Sequence, residues 1–192
     1  MININSETTF PLENTLFSFA LESEAADVFE GQNVVFTGIG KVNAAYELTK
    51  VIHQQKPALI VNLGTAGSNY FAKGEVICCT KFVQRDMDVR GLGFQLYETP
   101  LLKYGLQIET LPQGICGTGD SFEMNHTAHI YNVVDMEACP LAFITQKENI
   151  PFLCIKHISD GAAADAWNEL VHKAQQPLAH SCLLFKTGIE YR

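Results

Sequence analysis

Apolar residues fall in short, nearly continuous runs separated by turn-forming clusters, and these runs alternate with stretches of helical spacing. Residues 16–20, 33–37, 58–63, 75–80 and 151–157 read as strands, several of them apolar throughout. Strands without a polar face belong to a sheet covered on both sides. Residues 42–55 read as a helix stopped by Pro57, because the residue before a proline is pushed out of helical geometry. Residues 137–147 and 165–186 read as two more helices, the last broken around Pro177. The Gly- and charge-rich region 81–113 reads as loop with short strands. Strands alternating with helices predict an α/β fold. With no repeat, low-complexity tract or linker, residues 1–192 are expected to form a single domain.

Composition narrows the choice of partner. The 192 residues carry 13 basic and 21 acidic side chains, a net charge of −8 that disfavours a nucleic-acid backbone as partner. A nucleoside stays open. The N-terminal residues lack the basic and apolar blocks of a signal peptide, and no apolar run approaches the roughly 20 residues of a membrane span. Six cysteines, at 78, 79, 116, 139, 154 and 182, sit mostly inside apolar runs without a CxxC pair. They read as reduced core thiols of a cytoplasmic protein.

Three glycine turns follow strands: Gly38-Ile39-Gly40, Asn62-Leu63-Gly64-Thr65-Ala66-Gly67, and Gly117-Thr118-Gly119-Asp120. Glycine lets backbone N–H groups approach a ligand. The first turn fails as a dinucleotide motif, because Asn43 stands at the third glycine position. It fails as a P-loop too, with Val35 and Val42 at required positions. Any one such turn also serves as a plain strand-to-helix connection, but three together point to a cleft at one sheet edge. Two acidic segments, Asp135-Met136-Glu137 and Ser159-Asp160, flank a strand and bring carboxylates to the same kind of edge.

These segments, in this order and spacing, resemble the 5'-methylthioadenosine/S-adenosylhomocysteine nucleosidases of the purine nucleoside phosphorylase/uridine phosphorylase superfamily. The resemblance covers most of residues 34–165. It implies a three-layer α/β/α fold with a central mixed sheet, a homodimer, no cofactor and a nucleoside as substrate.

Residue roles follow from the same resemblance. Asp160 matches the catalytic aspartate that protonates N7 of the departing adenine and accepts from the exocyclic amine. Such a group must carry a proton near neutral pH, which an apolar site favours. Read alone, Asp160 is more readily a helix N-cap after a strand. Glu137 matches the acceptor of the ribose hydroxyls, with Met136 on the sugar; read alone, it is a glutamate in the first turn of a helix. Phe122 matches the aromatic that stacks on the base, and Thr65, Gly67 and Ser159 fall in the binding turns. Glu123 matches a position of main-chain contacts. Glu24 matches the base that activates water, although Glu22 and Glu24 also suit a helix start. About ten residues separate Glu24 from the next strand, fewer than in typical members.

A phosphorylase needs cations for phosphate, and the arginine of the superfamily's Arg-Val-Gly-Ser turn is replaced here by Asn62. The expectation is therefore a purine nucleosidase that releases adenine. Its rivals are a phosphorylase with an unusual phosphate site, a futalosine-type hydrolase, and a non-catalytic nucleoside-binding protein. Asp86 and Asp88, or His126 and His129, have no neighbouring ligand set that would make a metal site.

Overall fold

The computed structural model describes residues 1–5, 7–25, 27–97, 105–123 and 130–159. Asp160, His126, His129, Cys182 and the helix expected at 165–186 lie outside the described residues. A short antiparallel hairpin comes first, β1 (Ile2–Asn3) with β2 (Thr9–Phe10). The main sheet is built from β3 (Thr15–Phe19), β4 (Val34–Phe36), β5 (Leu59–Ala66), β6 (Val76–Gln84), β7 (Gln113–Thr118), β8 (Val133–Asp135) and β9 (Phe152–Ile158). Its order is β4-β3-β5-β9-β6-β7-β8. Every pairing is parallel except β6 with β9, so the sheet is mixed.

Both faces are covered, as the apolar strands predicted. Ile60 of β5 and Cys154 and Ile158 of β9 pack in the cluster that includes helices α1 (Lys41–Gln55) and α2 (Ala138–Lys147). Leu59, Val61, Leu63, Leu153 and Ile155 point to the opposite cluster, with Ile2, Ile4 and Phe29. The alternation is the period of two that a strand imposes. Helix α1 buries Ala44, Leu48 and Ile52, spaced four apart, and ends at Lys56 in the left-handed region (φ 39) before Pro57. The result is a central mixed sheet flanked by helices.

Three differences from the sequence reading have local causes. Strand β6 runs on to Gln84 rather than ending at Thr80, because a register shift between Cys79 and Lys81 lets it leave β9 and continue along β7. Helix α2 starts at Ala138, leaving Glu137 at its N-cap position. The short interval after Glu24 forms a 3-10 turn, Asp27–Phe29, whose Phe29 ring meets Phe17 and Phe19 edge-on at 5.1 and 4.9 Å.

The sheet also curls. Gly67, just past β5, exchanges backbone hydrogen bonds of 2.9 and 2.8 Å with Val134 of the far edge strand β8. Strand ends that lie far apart in the order are thereby brought to one place. No helix among the described residues is long and apolar enough to cross a membrane.

Candidate active site

The curl encloses a cavity of about 130 Å³. Glu24, Thr65, Gly67, Phe122, Met136, Glu137 and Ser159 all line it, so it gathers every expected site residue within the described part of the chain. Glu22, the other acid of the same turn, is exposed and does not line it.

Glu24 sits in a 3-10 turn after β3 and is only 4% exposed. Its Oε2 accepts the N–H groups of Ala20 and Leu21 at 3.1 and 3.2 Å. Its Oε1 accepts both the N–H and the hydroxyl of Thr65, each at 3.2 Å. A Cβ at residue 64 would stand 3.2 Å from Oε1, so Gly64 leaves the space that the carboxylate fills.

Glu137 enters from the β8–α2 turn. It sits at the N-cap of α2, yet its side chain makes no cap bond there. Instead Oε1 accepts the N–H of Gly40, at the start of α1, at 2.9 Å. The ends of α2 and α1 are satisfied by others. Asp135 takes the Ala138 N–H at 2.8 Å, and Thr118 Oγ1 takes that of Cys139 at 3.0 Å. Asp120 takes the Lys41 N–H at 2.7 Å. Gly40 has φ 92, which a side chain would resist, and this geometry aims its N–H at Glu137. Burial, reinforced by the negative charge of Asp135, pushes the Glu137 carboxyl up to about 7, against the pull of Lys156 and the Gly40 N–H.

Ser159 closes β9, its N–H donating to the Ala66 carbonyl at 3.0 Å. Phe122 is 54% exposed and stands at the cavity wall, not in the core. Asp86 is held by Lys41 at 2.6 Å, and Asp88 by Arg90 at 2.7 Å.

Sequence reading missed two features here. One is the Glu123 side chain, which lines the cavity and accepts the Tyr131 hydroxyl at 2.9 and 3.1 Å. Arg85 stands 3.6 Å from it and donates to the carbonyls of Gly119 and Ser121. The signal lay in the third glycine turn. A Cβ at Gly117 would come within 2.5 Å of the Tyr131 ring, and one at Gly119 within 2.9 Å of the Arg85 guanidinium carbon. These glycines make room for side chains that the sequence did not place beside them. The other feature is Lys156, a lone lysine in an apolar strand, whose Nζ meets Asp135 at 2.9 Å with both side chains at most 2% exposed.

A larger groove, about 870 Å³, runs between α1 and α2 past Val42, Tyr46 and Phe143. Neither Glu24 nor Glu137 lines it, and the expected site residues meet in the smaller cavity instead.

Comparison with known proteins identifies the family and the fold. The family model of the phosphorylase superfamily matches residues 29–182. A 5'-methylthioadenosine/S-adenosylhomocysteine nucleosidase of Marinomonas sp. (strain MWYL1) is 33% identical over 168 residues, 72% of each chain. One from Listeria welshimeri is 32% identical over 189 residues, covering 80% of this chain and 81% of the relative. In fold, the chain is similar to a Helicobacter pylori 5'-methylthioadenosine/S-adenosylhomocysteine nucleosidase solved in complex with a pyrrolidinol compound. The TM-score is 0.80 at 19% identity, over 93% of this chain and 99% of that one. The native futalosine hydrolase of H. pylori strain 26695 gives the same TM-score, identity and coverage. The chain belongs to the phosphorylase superfamily, in its 5'-methylthioadenosine/S-adenosylhomocysteine nucleosidase branch.

Proposed function

We propose that this protein is an N-ribosyl hydrolase that cleaves the glycosidic bond of an adenine nucleoside, 5'-methylthioadenosine or S-adenosylhomocysteine, and releases adenine. The observation that carries this reading is the meeting of Glu24 and Glu137, from distant strand ends, in one cavity of a chain of this branch. Glu137 accepts the ribose hydroxyls, and its charge stabilises the cationic sugar as the bond to the base lengthens. Met136 packs on the sugar and Phe122 on the base. Glu24 takes a proton from water as it attacks the anomeric carbon, a step open to it once a Thr65 donor yields its place on Oε1. Asp160, the residue after Ser159, delivers a proton to N7 of the leaving adenine.

Water rather than phosphate is the nucleophile in this reading. Asn62, at the position of the superfamily's phosphate-binding arginine, is 1% exposed and bonds inward to the Ser18 carbonyl at 3.2 Å. Arg85 does line the cavity, but its guanidinium is engaged by Ser121, Gly119 and Glu123. Incubation with 5'-methylthioadenosine, S-adenosylhomocysteine, adenosine, inosine and futalosine, with and without phosphate, is expected to release adenine without phosphate. Phosphate-dependent release would make the protein a phosphorylase. Binding without release would make it a nucleoside-binding protein. Preference for futalosine would favour the second reading, supported by the fold shared with futalosine hydrolase.

The state of Glu137 sets an acid limb. The folded protein favours its protonated form, so the empty protein loses stability as pH rises from about 4.5 through about 7. Ribose binding needs the ionised form. A plot of kcat/KM against pH is therefore expected to fall below a midpoint near 7. A limb near pH 4–5, the ordinary glutamate range, would show that Glu137 is not the group being titrated.

The reading extends to a cytoplasmic homodimer serving methionine salvage. Val42 and Tyr46 of α1, 78% and 65% exposed beside the larger groove, offer an apolar face for a second copy. Light scattering is expected to give twice the chain mass of 21.2 kDa, and a monomer would remove this part of the proposal.

A further inference from the structure

Three strands meet beneath Glu137 in a charged network that takes no direct part in the chemistry proposed above. Lys156 projects from β9 on the face shared with Cys154 and Ile158, beside Gly64 of β5, which has no side chain to oppose it. Its Nζ lies 2.9 Å from Asp135 Oδ2. The other oxygen, Oδ1, accepts the Thr118 hydroxyl at 2.5 Å. Through Ala138 and Cys139, Asp135 and Thr118 then hold the first turn of α2. Two residues after Asp135 comes Glu137.

A buried lysine–aspartate pair is weak as a source of stability, since well-packed apolar residues serve as well or better. Its placement argues for a positional role. We propose that the Lys156–Asp135 pair is a positioning device for Glu137: it clamps the turn that carries this carboxylate and balances the charge beneath it. The proposal rests on Glu137 as the ribose acceptor.

The groups acting on Glu137 come from four elements. They are Asp135 on β8, Lys156 on β9, Glu24 in the turn after β3, and the Gly40 N–H at the start of α1. Burial alone would raise the Asp135 carboxyl, but the Lys156 ammonium and the Thr118 hydroxyl hold it below its ordinary value. Burial likewise opposes the charge on Lys156, yet Asp135 keeps it protonated. The pair thus stays ionised, and Lys156 offsets a second negative charge that would otherwise drive Glu137 neutral.

The test is the carboxyl titration of Glu137, followed by carbon NMR in the ligand-free protein, with the acid limb of kcat/KM as second readout. Lys156→Met is expected to raise the midpoint by about one pH unit or more, and Asp135→Asn to lower it by a similar amount. Lys156→Arg should restore the wild-type midpoint. Shifts of the same sign, or none, overturn the proposal, because mere loss of packing has no reason to act in opposite directions.

Where a single variant does not fold, Lys156→Met/Asp135→Asn decides, since it removes both charges together. That double variant is expected to fold and to titrate near wild type, while kcat/KM falls about tenfold through the loosened turn, a loss on the scale of one hydrogen bond. Wild-type kcat/KM in it overturns the clamp. Failure of the functional reading looks different. In that case wild-type protein hydrolyses no nucleoside, while the opposite NMR shifts persist.

Discussion

Replacing Glu24 by glutamine is expected to lower kcat for adenine release by about 10²–10⁴-fold, the range over which a positioned general base contributes. KM should change little, because the lost function is proton removal from water, not nucleoside binding. The geometry adds a second effect. The carboxylate accepts from Ala20, Leu21 and Thr65, all donors, and an amide NH₂ on either side would face N–H groups with nothing to receive it. That mismatch is expected to cost about 1–3 kcal/mol of stability. Thermal unfolding measured beside kcat separates the two effects. A variant that unfolds earlier but turns over normally would leave Glu24 with a structural role only.

Asp160→Asn is expected to slow adenine release by several orders of magnitude while leaving the fold intact. Adenine leaves as an anion unless N7 gains a proton, and asparagine has none to transfer. Substrate choice sharpens the test. A riboside with a p-nitrophenolate leaving group departs without protonation, so the variant should process it at a rate near wild type. Equal loss on both substrates would mean that Asp160 supports binding or structure and does not act as the acid.

Much of this was legible in the chain. Residues 58–63, apolar but for Asn62, read as a doubly buried strand and residues 151–157 as a strand, and they pair in parallel at the centre of the sheet as β5 and β9. Tertiary geometry hid the rest. Strands of two residues, as in β1 and β2, are too short to display any period. A lysine in a strand reads as solvated, and only the approach of Asp135 across two intervening strands makes burial of Lys156 tolerable. Only the family resemblance marked Glu137 as a ribose acceptor; read alone it was a first-turn glutamate, because its partner, Gly40, lies 97 positions away. The glycines of the third turn were visible, but the Tyr131 ring and Arg85 guanidinium that require them were not.

The backbone exchange between Gly67 and Val134 bears on how such a cavity changes over evolutionary time. It ties the wall that carries Thr65 to the wall that carries Met136 and Glu137 by main-chain atoms alone. Side chains around it can be exchanged without undoing the tie, since a backbone hydrogen bond survives almost any substitution except proline. A lineage can therefore try new substituents and new bases against a frame of constant width. Divergence of substrate preference within one fold then needs only point changes, with no redesign of the sheet.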